Sequence, residues 1–226
     1  MTPQAWNLER HRREHFNALA ALGWLLIPAD TNEVDAVKAA QAALGVAVDG
    51  KLGDGTIAAL RAKYGPAAGA CGLPVPNGYA EIRAVYGDPQ ETLPATGARL
   101  NVSAAWRAAN IVTATLHNGQ RVQCHRAIAV ELVIVFALAC KIAGYNPRCA
   151  GCFVPRCINW DRANPPSIHT FANAVDFNPS ENGRGNANSA LHKKRLFVAV
   201  FECFGWKWGG DFKTPDAMHF QRANGA

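Results

Sequence analysis

Two short segments in the C-terminal half contain the residues whose types and spacing could do chemistry. Six residues separate His169 from Asp176, and two residues separate Asp216 from His219. Two imidazoles and one carboxylate suit a divalent transition metal, and zinc is the expected ion. A catalytic zinc takes three protein ligands and leaves a fourth position for water, which loses a proton near neutral pH and becomes a nucleophile. Asp216 can reach the open side of such a site as the base that this water needs.

The alternation of residues within each segment indicates the elements that must position these side chains. The stretches 174–177 and 218–221 each alternate between two faces, which predicts two β-strands. If the strands pair, Asp176 and His219 share the solvent-facing side, and His169, just ahead of the first strand, leans over the same point. The residues predicted to fill the core from the other face are Val175, Phe177, Met218 and Phe220.

Both segments also resemble a family of zinc peptidases that includes D-Ala-D-Ala carboxypeptidases and the L-Ala-D-Glu endopeptidases of phage lysins. The pattern residues that the chain keeps are Ser167, His169, Ala174, Asp176, Trp206, Gly209, Gly210, Asp216, His219 and Phe220. The chain departs from the pattern at Ala172, where the family usually has glycine. The resemblance extends upstream and covers roughly residues 77–222.

This resemblance implies a role for each matching residue. The implied zinc ligands are His169, Asp176 and His219. Asp216 is the implied general base, and Asp211 is its competitor, which we interpret as a turn residue. Arg156 would hold a substrate carboxylate or the oxyanion of the tetrahedral intermediate, and Ser167 would orient the site through its hydroxyl. Further candidates for substrate contact are Gln41, Asp49, Trp206 and Trp208. For the two tryptophans, the core and the pocket wall are the alternative positions.

The chain is predicted to divide into two domains. Residues 1–65 are predicted to form a small three-helix bundle, and residues 66–77 a linker rich in glycine, proline and alanine. Residues 78–226 are predicted to form the zinc peptidase domain. Its expected class is α+β, with a small antiparallel sheet that carries the site and helices that flank it.

The front domain has its own resemblance. The stretch 34–64 resembles the three-helix peptidoglycan-binding domain found on many wall hydrolases, and a small bundle without a ligand is the alternative. Gly45 is expected to end the helix that contains Val34 and Val37. The two other helices are expected near residues 16–26 and 57–64.

Charge and hydropathy narrow the classes of partner. The net charge of +6 and the isoelectric point of about 9.1 favour an anionic partner, and no nucleic-acid motif accompanies them. The charge alone does not choose between nucleic acid, an anionic membrane and a bacterial cell wall; the resemblance to wall hydrolases implies peptidoglycan as the partner of a monomeric protein. The most apolar stretch, 127–142, is too short to span a bilayer and predicts a buried helix without stable membrane insertion. We see no signal peptide, so we expect synthesis in the cytoplasm of a host and action on the wall after release.

Three cysteines form a cluster at Cys149, Cys152 and Cys157. The sequence leaves three interpretations open for them, which are reduced thiols, a structural zinc site and a disulfide.

The function expected from these features is that of an endolysin, a zinc-dependent hydrolase of the peptide stem, with the L-Ala–D-Glu bond as the expected target. A D-Ala-D-Ala carboxypeptidase or dipeptidase is one alternative, and a virion protein that binds the wall without catalysis is another.

Overall fold

A computed structural model describes residues 33–51, 53, 55–56, 58–59, 62 and 75–225. The helices are α1 (Glu33–Leu44), α2 (Gly78–Tyr86), α3 (Ala104–Asn110), α4 (Ala129–Ala143), α5 (Pro179–Asn182) and α6 (Arg195–Cys203). The strands are β1 (Ile111–Thr115), β2 (Arg121–His125), β3 (Cys149–Gly151), β4 (Ala174–Phe177), β5 (Lys207–Trp208) and β6 (His219–Gln221). Single 3₁₀ turns lie at Ile158–Trp160, Ile168–Phe171, Leu191–Lys193 and Gly209–Asp211. This mixture of helices and antiparallel sheets confirms the α+β prediction.

The larger sheet contains both strands that the alternation predicts. Its order is β3-β4-β6-β5, and every neighbouring pair is antiparallel. Asp176 lies opposite His219, and Val175 lies opposite Phe220. The predicted pairing of the two strands is therefore confirmed, with Asp176 and His219 on one face and Val175 and Phe220 on the other.

The prediction for Met218 needs a correction. Met218 is only partly buried and lies outside β6, which begins at His219. Its backbone N–H donates to the carbonyl of Asn182, and its carbonyl accepts from the N–H of Phe177. These bonds hold Met218 in the turn before the strand, so its side chain does not join the core with Phe177.

The core lies between the larger sheet and two helices. The predicted buried helix is confirmed as α4, which contacts α6 along its length. Rings from both helices and both central strands pack together: the centroids of Phe136 and Phe177 are 5.2 Å apart, and those of Phe201 and Phe220 are 4.7 Å apart. Each fully buried phenylalanine stabilises the fold by about 1.5–3 kcal/mol relative to an exposed one. The sheet that carries the site therefore has a rigid support.

Within the part of the chain that the structure describes, no helix combines the length and the apolar character that crossing a bilayer requires.

A buried ion pair ties α4 to the two strands near the site. The Glu131 carboxylate accepts from the Nε of Arg222 at 2.8 Å and from the indole N–H of Trp206 at 2.7 Å. The Glu131 and Arg222 side chains are 3% and 6% exposed, so the two charges need each other and the extra hydrogen bond to be tolerated. Arg222 follows β6 and Trp206 precedes β5, so this cluster fixes both strands against the core.

The first helix confirms one element of the predicted front domain. It ends at Leu44, and Gly45 follows with a φ of 71°, a left-handed conformation that glycine adopts without steric cost. Val37 is buried in the same hydrophobic cluster as α4. The described residues from 55 to 62 are also helical. The helix predicted near 16–26 lies outside the described residues, so the three-helix arrangement stays a prediction.

His125 should make the stability of the fold depend on pH. Its Nε2 lies 3.0 Å from the carbonyl of Tyr86, and its Nδ1 accepts from the N–H of Ala127 at 3.1 Å, which fixes a neutral ring. Burial lowers the pKa of His125 to about 4, although the bond to Tyr86 opposes this shift. The His125 ring binds a second proton near pH 6.5 in the unfolded chain but only near pH 4 in the folded chain. The stability that the neutral ring contributes above pH 6.5 is therefore lost as the pH falls from about 6.5 to about 4.

We expect the wild-type protein to lose about 2–3 kcal/mol of unfolding free energy from this residue between pH 7 and pH 4.5. Urea unfolding at both pH values measures the loss. The variant His125→Gln keeps a donor for Tyr86 but does not titrate. Its loss of unfolding free energy between pH 7 and pH 4.5 should therefore be smaller than that of the wild type by about 2–3 kcal/mol. Equal losses in the two proteins would contradict the assignment.

Candidate metal centre

Three elements bring together His169, Asp176 and His219, which we call the His-Asp-His centre. His169 lies in the 3₁₀ turn before β4, while Asp176 and His219 are opposite partners on β4 and β6. The Nε2 of His169 is 3.2 Å from Oδ1 of Asp176 and 3.1 Å from Nδ1 of His219. The third side of this triangle, from His219 Nδ1 to Asp176 Oδ1, is 3.0 Å. The structure thus brings the three predicted ligands to one point.

Hydrogen bonds on the outer side of each ring determine which nitrogen faces the centre. The Nδ1 of His169 lies 3.0 Å from the carbonyl oxygen of Cys152, which can only accept, so this nitrogen carries the proton. The Nε2 of His219 lies 3.0 Å from Oε1 of Gln221, whose own amide donates to the carbonyl of Ala223 at 3.1 Å. Each neutral ring therefore turns a lone pair towards the centre.

When both rings are neutral with their outer nitrogens protonated, three acceptor atoms meet at this point, and a bound cation would stabilise that arrangement. A tetrahedral zinc with bonds of about 2.0–2.2 Å separates its ligand atoms by about 3.3–3.6 Å, so the observed triangle fits after shifts of a few tenths of an ångström. Among the described residues, this is the group of histidine, cysteine and acidic side chains that could hold a metal ion. The donor set of two imidazoles and one carboxylate fits zinc.

The charges at the centre follow from the same contacts. Burial would raise the pKa of Asp176, but the two imidazoles beside it outweigh that effect and hold its pKa well below the ordinary value. Burial would lower the pKa of His219, but its bonds to Asp176 and Gln221 raise it above the ordinary value. The carboxylate is therefore ionised at neutral pH, as a metal ligand must be.

Gln221 should tune the metal affinity through His219. The variant Gln221→Leu removes the acceptor that fixes the inward lone pair of His219, and loss of such a partner typically weakens metal binding about 10–100-fold. We expect a rise of that size in the zinc Kd, measured by competition with a chelating dye. Gln221→Glu keeps an acceptor and should bind zinc about as tightly as the wild type. A Leu variant with unchanged affinity would show that Gln221 only fills space.

Ala172 connects the turn that carries His169 to β4, and its backbone explains the glycine of the family pattern. It is fully buried and has φ 56° and ψ 30°, a left-handed conformation that costs a non-glycine residue about 1–2 kcal/mol. Ala172→Gly should therefore raise the unfolding free energy by about 0.5–1 kcal/mol, because relief of strain exceeds the loss of one methyl. Ala174→Gly, the same change in extended backbone, should lower it. Thermal unfolding of both variants tests this, and a shared direction would refute the strain argument.

A cleft of about 170 Å³ opens beside the centre. The residues that line it are Arg156, Ile158, Asn159, Ser167, Ile168, Arg184, Phe212, Asp216, His219 and Gln221. The Oδ2 of Asp216 accepts from Nη1 of Arg184 at 3.4 Å. Its Oδ1 is buried and has no hydrogen-bond partner among the described residues. The cleft thus places the predicted base, Asp216, next to the ligand His219.

Gly209 packs closely against the backbone of Asp216, and Gly210 packs closely against the ring of Trp208. The N–H of Asp216 donates to the carbonyl of Gly209 at 2.8 Å, and the Asp216 carbonyl accepts from the N–H of His219 at 3.0 Å. A Cβ on Gly209 would lie 2.6 Å from the Asp216 carbonyl oxygen, and a Cβ on Gly210 would lie 2.2 Å from a ring carbon of Trp208. The Gly-Gly pair is therefore needed for close backbone approach.

Arg156 and Ser167 also line the cleft. The Arg156 carbonyl accepts from the N–H of Ser167 at 2.8 Å and from the hydroxyl of Thr170 at 3.1 Å. These two bonds join the backbone of Arg156 to the turn that contains His169. The Ser167 hydroxyl caps that turn by accepting from the N–H of His169 at 3.4 Å. Burial lowers the pKa of Arg156 while Asp176 opposes the shift, and a guanidinium remains charged at any relevant pH.

The other predicted contacts lie away from the cleft. Trp206 and Trp208 are buried, and their indole N–H groups are used by Glu131 and by the Ala217 carbonyl. Gln41 is buried and stabilises the loop after α1, because its side chain accepts from the N–H of Asp49 at 3.1 Å. The structural role of these side chains is to support loops and strands, and contact with substrate stays a prediction for them.

Asp211 lies in an exposed turn outside the cleft. Asp211 is 60% exposed and pairs with Arg195, so the structure places it as the turn residue that the sequence indicates.

Cys149, Cys152 and Cys157 are buried free thiols. Burial raises the pKa of Cys149 to about 12, which keeps it protonated.

Sequence reasoning missed Arg184 and the contribution of Gln221. Arg184 lies between Gly183 and Gly185 in a polar loop, and the flanking glycines were the available signal that its backbone has a special position. The position of Gln221 two residues after His219 on one strand face could have indicated its contact with that ring.

Comparison with known proteins agrees with this geometry. Residues 161–222 match the profile of a protein family described as D-alanyl-D-alanine carboxypeptidase. The matched stretch is about a quarter of the chain and contains the His-Asp-His centre, Ser167 and Asp216, while Arg156 lies before it. No curated protein matches the chain, and no solved structure does. The similarity supports a peptidase.

Proposed function

We propose that this protein is a zinc-dependent peptidase that hydrolyses an amide bond in the peptide stem of peptidoglycan, with L-Ala–D-Glu as the target bond. The observation that carries the proposal is the triangle of donor atoms, 3.0–3.2 Å on a side, which faces a cleft that also holds a carboxylate and a guanidinium. The match to a carboxypeptidase family supports the class of reaction.

His169, Asp176 and His219 would hold the zinc ion. When bound, zinc supplies Lewis-acid polarisation of a carbonyl group and makes water a nucleophile near neutral pH.

Residues of the cleft supply the remaining chemistry. Asp216 takes a proton from the attacking water as a new C–O bond forms at the scissile carbonyl. Arg156 donates hydrogen bonds to the oxyanion that develops there. Asp216 then passes the proton to the departing nitrogen as the C–N bond breaks, so the products are a carboxylic acid and an amine.

The front part of the chain supports a polymeric substrate. Residues 34–64 resemble a wall-binding domain, and the net charge of +6 favours an anionic polymer. A binding module on the same chain raises the local concentration of bonds near the cleft. This arrangement fits an endolysin that acts as a monomer on peptidoglycan.

A D-Ala-D-Ala carboxypeptidase is the second candidate, because the description of the matching family favours it. A wall-binding protein without catalysis is less well supported, since Asp216 and the cleft are both retained beside the centre.

Digestion of purified sacculi, with and without a chelator, tests the proposal. Cleavage at L-Ala–D-Glu leaves L-Ala on the glycan and releases peptides whose new amino group belongs to D-Glu, which mass analysis after amine labelling identifies. Release of D-alanine alone would establish the carboxypeptidase instead. Binding to sacculi without any new product would leave only the wall-binding protein.

A further inference from the structure

The loop that carries Arg184 is fixed at the mouth of the cleft by its backbone. The N–H of Gly185 donates to the carbonyl of Pro215 at 2.6 Å, which joins this loop to the segment of Asp216. At the start of the loop, the buried side chain of Asn182 donates to the carbonyl of Phe177 at 3.0 Å. The Cα of Arg184 therefore has a defined position beside the base, although its side chain is 41% exposed.

The side chain of Arg184 is held much more weakly than its backbone. Its Nη1 donates to Oδ2 of Asp216 over a long distance of 3.4 Å. A long, half-exposed ion pair of this kind contributes little, so the guanidinium can exchange this carboxylate for another at small cost. When it leaves, both oxygens of Asp216 become available for the proton transfer.

The charges of the cleft determine what could replace Asp216 as the partner of Arg184. Arg156 and Arg184 both line the cleft, and the charges of Asp176 and Asp216 also act on Arg156. These four groups balance, so a divalent cation at the His-Asp-His centre leaves an excess of positive charge. An anionic group on the substrate restores the balance, and a guanidinium binds a carboxylate through two parallel hydrogen bonds.

We infer that Arg184 is a specificity residue, which releases Asp216 and binds a free carboxylate of the peptide stem next to the scissile bond. The inference rests on the proposed function and adds the substrate class, namely stems in which this group is a carboxylate and not a carboxamide. Arg156, which is more deeply buried, serves the oxyanion, while Arg184 at the mouth of the cleft recognises the neighbouring residue.

Two matched peptides test this inference. They are L-Ala–γ-D-Glu–L-Lys with a free α-carboxylate on D-Glu, and the same peptide with an α-carboxamide. For the zinc-loaded wild type we expect a kcat/KM about 10–100-fold higher on the acid, mainly through KM, as a charge-assisted bidentate pair provides. In Arg184→Gln this preference should fall to about twofold or less, and Arg184→Lys should keep part of it.

Calorimetric binding of non-hydrolysable isosteres of both peptides to the zinc-loaded protein gives a second readout that needs no catalysis. The wild type should bind the acid more tightly than the amide, and Arg184→Gln should bind them equally. Arg195→Gln is the control, because Arg195 is 39% exposed, pairs with an aspartate and does not line the cleft. It should keep the wild-type preference.

The outcomes separate this inference from the proposed function. A wild type without acid preference, or an Arg184→Gln variant that retains it, would overturn the role of Arg184 while the peptidase stands. A wild type that cleaves neither peptide would overturn the proposed function, and the binding ratios would still decide the role of Arg184. If Arg184→Gln failed to fold, Arg184→Lys would provide the test, since its ratio of kcat/KM on the acid to kcat/KM on the amide should lie between that of the wild type and one.

Discussion

We expect the replacement of Asp216 by asparagine to lower kcat on a stem peptide by about 10²–10⁴-fold, the usual contribution of a positioned general base. The Asn side chain is nearly the same size and can still accept from Arg184, so the cleft keeps its shape. It cannot take a proton from water at neutral pH. Zinc content should remain at that of the wild type, because Asp216 is not part of the His-Asp-His centre.

Asp211→Asn provides the matched control for this experiment. Asp211 lies five residues earlier, is 60% exposed and pairs with Arg195 outside the cleft. Its replacement should leave kcat within about twofold of the wild type, as expected for a surface substitution. If the Asp211 variant lost activity and the Asp216 variant kept it, the two aspartates would have to exchange roles.

Replacing one of the three predicted ligands should abolish both zinc binding and hydrolysis. His169→Ala removes one of three donors, and the remaining two cannot complete the set of three protein ligands that a catalytic zinc takes. We expect zinc content, measured by atomic emission, to fall from one ion per chain to near zero, and activity to fall below detection. Zinc at about 100 times its Kd should stabilise the wild type by about 2.7 kcal/mol and leave the variant unchanged.

His117→Ala is the control for the metal experiment. His117 is exposed and packs its ring against Phe136, away from the three ligands. Its variant should bind zinc and respond to it in thermal unfolding as the wild type does. A His169 variant that still bound one zinc ion would exclude the His-Asp-His centre as the metal site.

The sequence predicted the centre because its key signal is local. Alternation with a period of two residues placed Asp176 on one face of a strand and His219 on one face of another, and antiparallel pairing then put them opposite each other. The buried helix α4 could also be predicted from its apolar sequence, because a helix buried on most sides needs few polar residues.

Contacts between distant segments could not be predicted in this way. The Cys152 carbonyl that fixes His169 and the Glu131–Arg222 pair depend on how separate elements pack, and no periodicity encodes them. Arg184 was missed because loop backbones follow individual hydrogen bonds, such as the one from Gly185 to Pro215. Met218 was misplaced by one position because strand ends depend on the same local bonds.

The hydrogen-bonded turn that joins Asp216 to His219 makes the proposed base and one proposed metal ligand a single preorganised unit. Because the backbone of Asp216 is bonded to Gly209 on one side and to His219 on the other, these bonds restrict the position of the two groups relative to each other. Their mutual orientation is thus established when the chain folds, before cation or peptide arrives, and little reorganisation should remain for the reaction itself.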